Sequence, residues 1–130
     1  MPFPINEQQV RTLEFKLGAR LPECYREFMK ENNGGTIDLA EDDWELHPIQ
    51  DTTDRKRICR TASHVMIENK RYLKWHNKAP NTLSIAENGC GDRLLLQQEG
   101  NKFLPTVFFW SHETGEKAQV AESITEAIRD

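Results

Sequence analysis

The sequence predicts an α+β fold, a mainly antiparallel sheet of about four to six strands with helices packed around it, on three observations. Two amphipathic helical patterns open the chain between Asn6 and Asn32, apolar residues alternate with polar ones from Thr82 onward, and a capping sequence, Ser123-Ile124-Thr125-Glu126, stands near its end. The expected order is helix, helix, strand, helix, hairpin, strand, helix, which suits helices laid on an antiparallel sheet.

The first helix starts at Asn6, whose side chain can cap it, with Gln9 three residues on and Ile5 placed to staple against Val10. Val10, Leu13 and Leu17 carry the stripe, and Gly18 can take the left-handed conformation that closes the helix. Pro22 presets φ for the first position of a second helix, on which Tyr25, Phe28 and Met29 recur at i, i+3 and i+4. Asn32-Asn33-Gly34-Gly35 then reverses the chain. From Gly34 to about Ser63 the pattern is irregular, crossed by a strand over Trp44 to Ile49. A helix is expected from Ser63 to Lys78, ended by Pro80. Thr82 to Glu87 and Arg93 to Gln98 read as a hairpin around Asn88-Gly89-Cys90-Gly91-Asp92, followed by an aromatic strand, Val107 to Glu113. Ser123 to Glu126 forms a capping box, and Ile124, Ala127 and Ile128 would give a closing helix its apolar side.

These motifs, Leu17-Gly18, Leu21-Pro22, Tyr25, Phe28 and Asn33-Gly34-Gly35, then Ile85-Ala86, Gly89, Gly91-Asp92 and Trp110-Ser111-His112-Glu113, stand in an order that resembles the SUKH superfamily. That superfamily groups bacterial immunity proteins with a fungal cell-wall-assembly regulator. The resemblance spans nearly the whole chain and implies the same α+β architecture. It also implies a binding protein that neutralises a toxin, often a nuclease. Leu17, Gly18, Leu21, Pro22, Tyr25, Phe28, Gly34, Gly35, Gly91 and Asp92 are expected to hold the fold.

Composition bounds the function. With 130 residues, 37% of them hydrophobic, the chain is expected to be one domain, residues 1–130, with a core that needs no disulfide or metal. No window approaches the roughly 18 apolar residues of a membrane span, and the start, MPFPINEQQ, has no basic and apolar leader. A cytoplasmic protein is expected, with no membrane partner. Cys24, Cys59 and Cys90 are odd in number and far apart, which predicts free thiols.

The formal net charge of -4 hides a segregated layout. Glu31 to Asp51 holds Glu31, Asp38, Glu41, Asp42, Asp43, Glu45 and Asp51 without Lys or Arg, whereas Asp54 to Lys78 is rich in both. The two runs could neutralise each other, or both could be solvated faces. With the resemblance in view, Asp38, Glu41, Asp42, Asp43 and Trp44 are the expected partner-binding set: carboxylates to steer a basic protein and a ring to anchor it. Trp110 is added as a second ring if it faces outward. The expected partner is a cognate toxin, a basic nuclease, whose phosphate-binding surface an acidic inhibitor can occupy. The alternative is an intracellular regulatory scaffold, although the extended flanking regions of the fungal relatives are missing here.

Other chemistries fit less well. His112-Glu113 lacks the second histidine of an HExxH zinc site, because Glu116 occupies that position. Gly89-Cys90-Gly91 is too short for a dinucleotide loop, and Cys90 reads as a small turn residue between conformationally required glycines. His47, His64, His76 and His112 are possible bases with no paired nucleophile, and Asp92 with Glu113 would be a carboxylate pair without a pocket. Tyr72 and Trp75 amid basic residues meet the minimal description of a nucleic-acid surface, which the total charge opposes. No enzyme activity, catalytic residue, cofactor or metal is assigned. A deep cleft lined with converging, desolvated titratable groups would contradict that assignment.

Overall fold

The computed structural model describes residues 4–75 and 81–129. Its elements are α1 (Glu7–Leu17), α2 (Glu23–Asn32), β1 (Thr36–Leu39), β2 (Asp42–Leu46), α3 (Arg55–Arg60), α4 (Val65–Trp75), β3 (Thr82–Glu87), β4 (Arg93–Glu99), β5 (Lys102–Trp110), β6 (Lys117–Ala121), a 3₁₀ turn (Ile124–Glu126) and β7 (Ile128–Arg129). The strands form one antiparallel sheet in the order β6-β5-β4-β3-β2-β1-β7. The α+β arrangement is the expected one, and the two-residue β7 brings the sheet to seven strands.

The opening helices form for the reasons their sequence gives. Asn6 accepts from the Gln9 amide at 3.1 Å, Ile5 and Val10 are both buried, and Gly18, at φ 69, closes α1 on the Glu14 and Phe15 carbonyls. Pro22 lies one position earlier than expected: it is the N-cap of α2, extended at ψ 141, and Glu23 is the first helical residue. Arg26, largely buried, ties α2 to α1 through Glu7 and Glu14 and also meets Glu23 of its own helix, while Lys30 reaches Glu7 at 2.6 Å.

α1 and α2 cover one face of the sheet. Their Val10, Leu13, Tyr25, Phe28 and Met29 pack on Ile37, Leu39, Trp44, Leu46, Leu94, Leu96 and Val107. The opposite face carries a smaller core in which Tyr72 of α4 meets Leu95 and Trp110, the two rings edge to face at 5.2 Å. Because Leu95 stands between Leu94 and Leu96 on one strand, the two cores lie on opposite sides of the sheet. The aromatic strand divides the same way: Phe109 packs on the first core, Phe108 and Trp110 on the second.

Beyond Pro22, the fold departs from expectation in four places. The strand expected over Trp44 to Ile49 runs from Asp42 to Leu46, paired with the unforeseen β1. The aromatic strand begins at Lys102 and stops at Trp110, where a turn held by Gly115 N–H on Ser111 O at 2.8 Å leads to β6. α3 occupies the segment expected to be irregular, capped by Asp54, which accepts from the Arg57 amide. The expected closing helix is one 3₁₀ turn. Ser123 and Glu126 complete the capping box, but Ala127 is extended at ψ 143 and Ile128 pairs with Asp38 of β1. The expected extension of α4 to Lys78 and its stop at Pro80 lie outside the described residues, as do His76 and the Trp75 side chain.

Candidate functional site

The β1–β2 hairpin gives the acidic run its geometry. Thr36 pairs with Glu45, Ile37 with Trp44, Asp38 with Asp43 and Leu39 with Asp42. Strand alternation therefore sends Ile37, Leu39, Trp44 and Leu46 inward and Thr36, Asp38, Asp43 and Glu45 outward, on the side of the sheet that carries α4. Asp38 and Asp43 stand directly opposite each other, a like-charge pair that is destabilising by itself. The two-residue loop Ala40-Glu41 has φ 53 and 60, left-handed at both positions although neither residue is glycine. Such backbone strain is held in place by the surrounding structure, and here it lifts Glu41 to the tip.

Trp44 is a correction to the expected binding set. Its relative exposure is 0%, its Nε1–H donates to the Leu39 carbonyl at 2.8 Å, and its ring meets Phe109 edge to face at 5.7 Å. It is the largest buried side chain under the hairpin rather than an anchor on its surface. Trp110 is likewise withdrawn, 5% exposed against Tyr72. The carboxylates remain: Glu41, Asp42 and Asp43 are exposed, and Asp38 half-buried.

The acidic and basic runs neutralise each other only in part. Arg57 pairs with Asp51 across the two runs at 3.1 Å, whereas Arg71 pairs at 2.7 Å with Glu68 of its own run. Among the described residues, Asp38, Glu41, Asp42, Asp43 and Glu45 make no ion pair. Asp42 is held instead by a neutral bridge, with Asn88 Nδ2 donating to it at 2.9 Å and to Asp92 at 3.1 Å. Asp92 in turn accepts from the His112 amide at 3.0 Å and from its Nδ1 at 2.7 Å, so its partner is His112 rather than Glu113. Burial would raise the Asp92 pKa, but these bonds outweigh it and hold the carboxyl below its usual range. Gly91, at φ 100, lets the His112 ring lie where a Cβ would be 3.1 Å from it. The glycines flanking Cys90 are thus conformational necessities, and the three cysteines are free thiols.

Beside the hairpin, between the sheet and the α3–α4 pair, lies a cleft of about 770 Å³ that the sequence did not disclose. Glu45, His47 and Glu87 line its sheet side, and Cys59, Arg60, Glu68 and Arg71 line its helical side. His47 and Glu68 belong to a polar cluster that continues inward from the wall. His47, 4% exposed, has Nε2 at 3.2 Å from Ser84 Oγ and 3.3 Å from Arg93, and Arg93 also reaches Glu68 at 3.5 Å. Two donors converging on Nε2 assign the proton to Nδ1 and leave the ring neutral. Burial first, and the Arg93 charge second, depress its pKa to about 3.

The cluster superficially matches a serine, histidine and acid set, but its groups are turned against one another. Ser84 is 0% exposed, Arg93 donates to its oxygen, and the Glu68 carboxylate goes to Arg71 and Arg93 and makes no bond to His47. Desolvated titratable groups therefore do converge on the wall of a cleft, the feature set out above as contrary to a purely binding role, but Ser84 Oγ, His47 Nε2 and the Glu68 carboxylate are engaged with one another or with arginines.

Among the described residues, no group of three or more His, Cys, Asp or Glu is placed to hold a metal, and no helix is long and apolar enough to cross a membrane. No curated protein and no solved structure matches the chain. Residues 4–130 do match the family described as the SMI1 / KNR4 family (SUKH-1), nearly the entire sequence, and the chain belongs to that family.

Proposed function

We propose that this protein is an immunity protein, a one-domain cytoplasmic inhibitor that binds a cognate bacterial toxin and neutralises it by covering its active or substrate-binding surface. A basic nuclease is the class of toxin that suits it. The observation that carries this reading is the outward face of the β1–β2 hairpin, where Asp38, Asp43 and Glu45, with Glu41 at the tip, lie on a rigid sheet and make no ion pair among the described residues. Preorganised carboxylates steer a cationic partner and cost little ordering entropy on contact. Family membership supports the same reading. Trp44 and Trp110 have no part in the contact. No catalysis is assigned, because Ser84 is fully buried with its oxygen accepting from Arg93, and His47 turns Nε2 toward Ser84 and Arg93.

Co-expression with a toxin encoded beside this gene tests the function: survival is expected with the intact chain and loss of protection with Asp38→Lys/Asp43→Lys. Undiminished protection by the reversed variant rejects the binding face, and no protection by either form rejects the pairing. The association rate should fall steeply with added salt, and an association rate indifferent to salt also rejects the electrostatic reading.

A further inference from the structure

We propose that the cleft between the sheet and the α3–α4 pair takes an arginine of the protein partner, its guanidinium bridging Glu45 and Glu87 while the adjoining backbone faces Arg60 and Arg71. The inference rests on the reading that the acidic hairpin meets a basic protein, and adds where one side chain of that protein goes.

Register supplies the first argument. Glu45 of β2 and Glu87 of β3 are cross-strand partners, and both line the cleft. Directly opposite residues have Cβ atoms about 5 Å apart, a separation that one planar fork of five N–H donors can span and a single ammonium spans poorly. The pair is repulsive as it stands, so a cation between the two removes a cost already present in the free protein.

Internal cations leave that position open. Arg93 approaches Glu87 only at 3.8 Å and divides itself among Glu68, Ser84 and His47. Glu45 makes no ion pair among the described residues. Among the described residues His47 is the one histidine lining the cleft, and it stays neutral because burial and Arg93 disfavour its charge.

The opposite wall says what carries the cation. Arg60 and Arg71 line the helical side with Glu68, whose one carboxylate is shared between Arg71 and Arg93, so the wall keeps a positive excess that a free polyamine would meet as repulsion. A peptide is bipolar: it can direct a guanidinium to the sheet and its carbonyl oxygens to those arginines. At about 770 Å³ the cleft exceeds one side chain and has room for the flanking backbone.

The probe is N-acetyl-arginine amide, titrated into the isotope-labelled full chain and followed by amide chemical shifts, with N-acetyl-lysine amide in parallel. Saturable shifts are expected at Glu45, Leu46 and Glu87, weaker for lysine, and reduced about tenfold or more by Glu45→Gln or Glu87→Gln. Each glutamine variant is checked by its unchanged shifts in α1 and α2, so that loss of binding is not mistaken for loss of fold. Shifts confined to the Glu41 tip, shifts that never saturate, or equal binding to the glutamine variants would overturn the proposal. Failure here is separable from failure of the immunity reading. Toxin protection that survives Glu45→Gln/Glu87→Gln removes the arginine site and leaves immunity standing, whereas arginine binding without protection does the reverse.

Discussion

The two faces of the β1–β2 hairpin are built from alternate residues of one short stretch and do opposite work. Inward, Ile37, Trp44 and Leu46 are among the most buried side chains of the molecule, and Leu39 is buried beside them. Outward, Asp38, Asp43 and Glu45 face solvent with like charges aligned across the strands. A change on the inner face is felt as lost stability, and one on the outer face as altered recognition. Adjacent positions in sequence thus have unrelated tolerances.

The sharpest way to break that division is Trp44→Ala. It removes a fully buried indole and the bond from Nε1 to Leu39, and should cost about 3–5 kcal/mol of stability, read as a lowered denaturant midpoint. If stability is unchanged, the hairpin does not rest on its inner face as described.

Next in size is a pH effect from beneath the outer face. His47 has its pKa depressed to about 3 in the folded state against 6.5 when unfolded, so between those values the unfolded chain binds more protons. Stability should fall as pH drops below 6.5, by up to about 1.4 kcal/mol per pH unit for one proton. Glu7, held near 2 chiefly by its hydrogen bond from Lys30, adds its own loss only below 4.5. Urea midpoints measured from pH 7 to 4.5 should slope less steeply for His47→Gln than for the wild type, and identical slopes would contradict a neutral buried ring.

The loop offers a smaller effect of opposite sign. Replacing Ala40-Glu41 by Asn-Gly suits the left-handed conformation at both positions and should stabilise the hairpin by about 1–2 kcal/mol. Thermal melting reads it, and a lowered melting temperature would mean that the loop is not strained. Smallest is Asp43→Asn, which removes half of the repulsive pair with Asp38 and should raise stability by roughly 0.2–1 kcal/mol, while weakening association with a cationic partner.

These contrasts also explain what could be read in the sequence. Asn6, Gly18 and Pro22 announce helix boundaries through local chemistry, and the structure keeps them to within a residue. The Thr82 to Gln98 hairpin was legible because strand alternation and the glycines beside Asn88 agree. β1 was not, since Ala40-Glu41 lacks the glycine or asparagine that left-handed loops prefer. Without that hairpin the phase of Trp44 could not be fixed, and carboxylates on both sides made a core residue look like a surface anchor. Ser123 and Glu126 correctly announced a helical turn, but nothing local announces that it ends after three residues. Pairing of Ile128 with Asp38 across the fold settles it. The cleft was invisible for the same reason: His47, Ser84, Glu68 and Arg93 meet only through tertiary contacts.

The sealed position of Trp44, with its Nε1–H committed to the Leu39 carbonyl, makes the indole proton a built-in stopwatch for the hairpin. It can trade with deuterium only when β1 and β2 part. A partner that docks without deforming the sheet should slow that clock, and one that prises the strands apart should quicken it, so a single isotope-exchange rate separates rigid capture from remodelling.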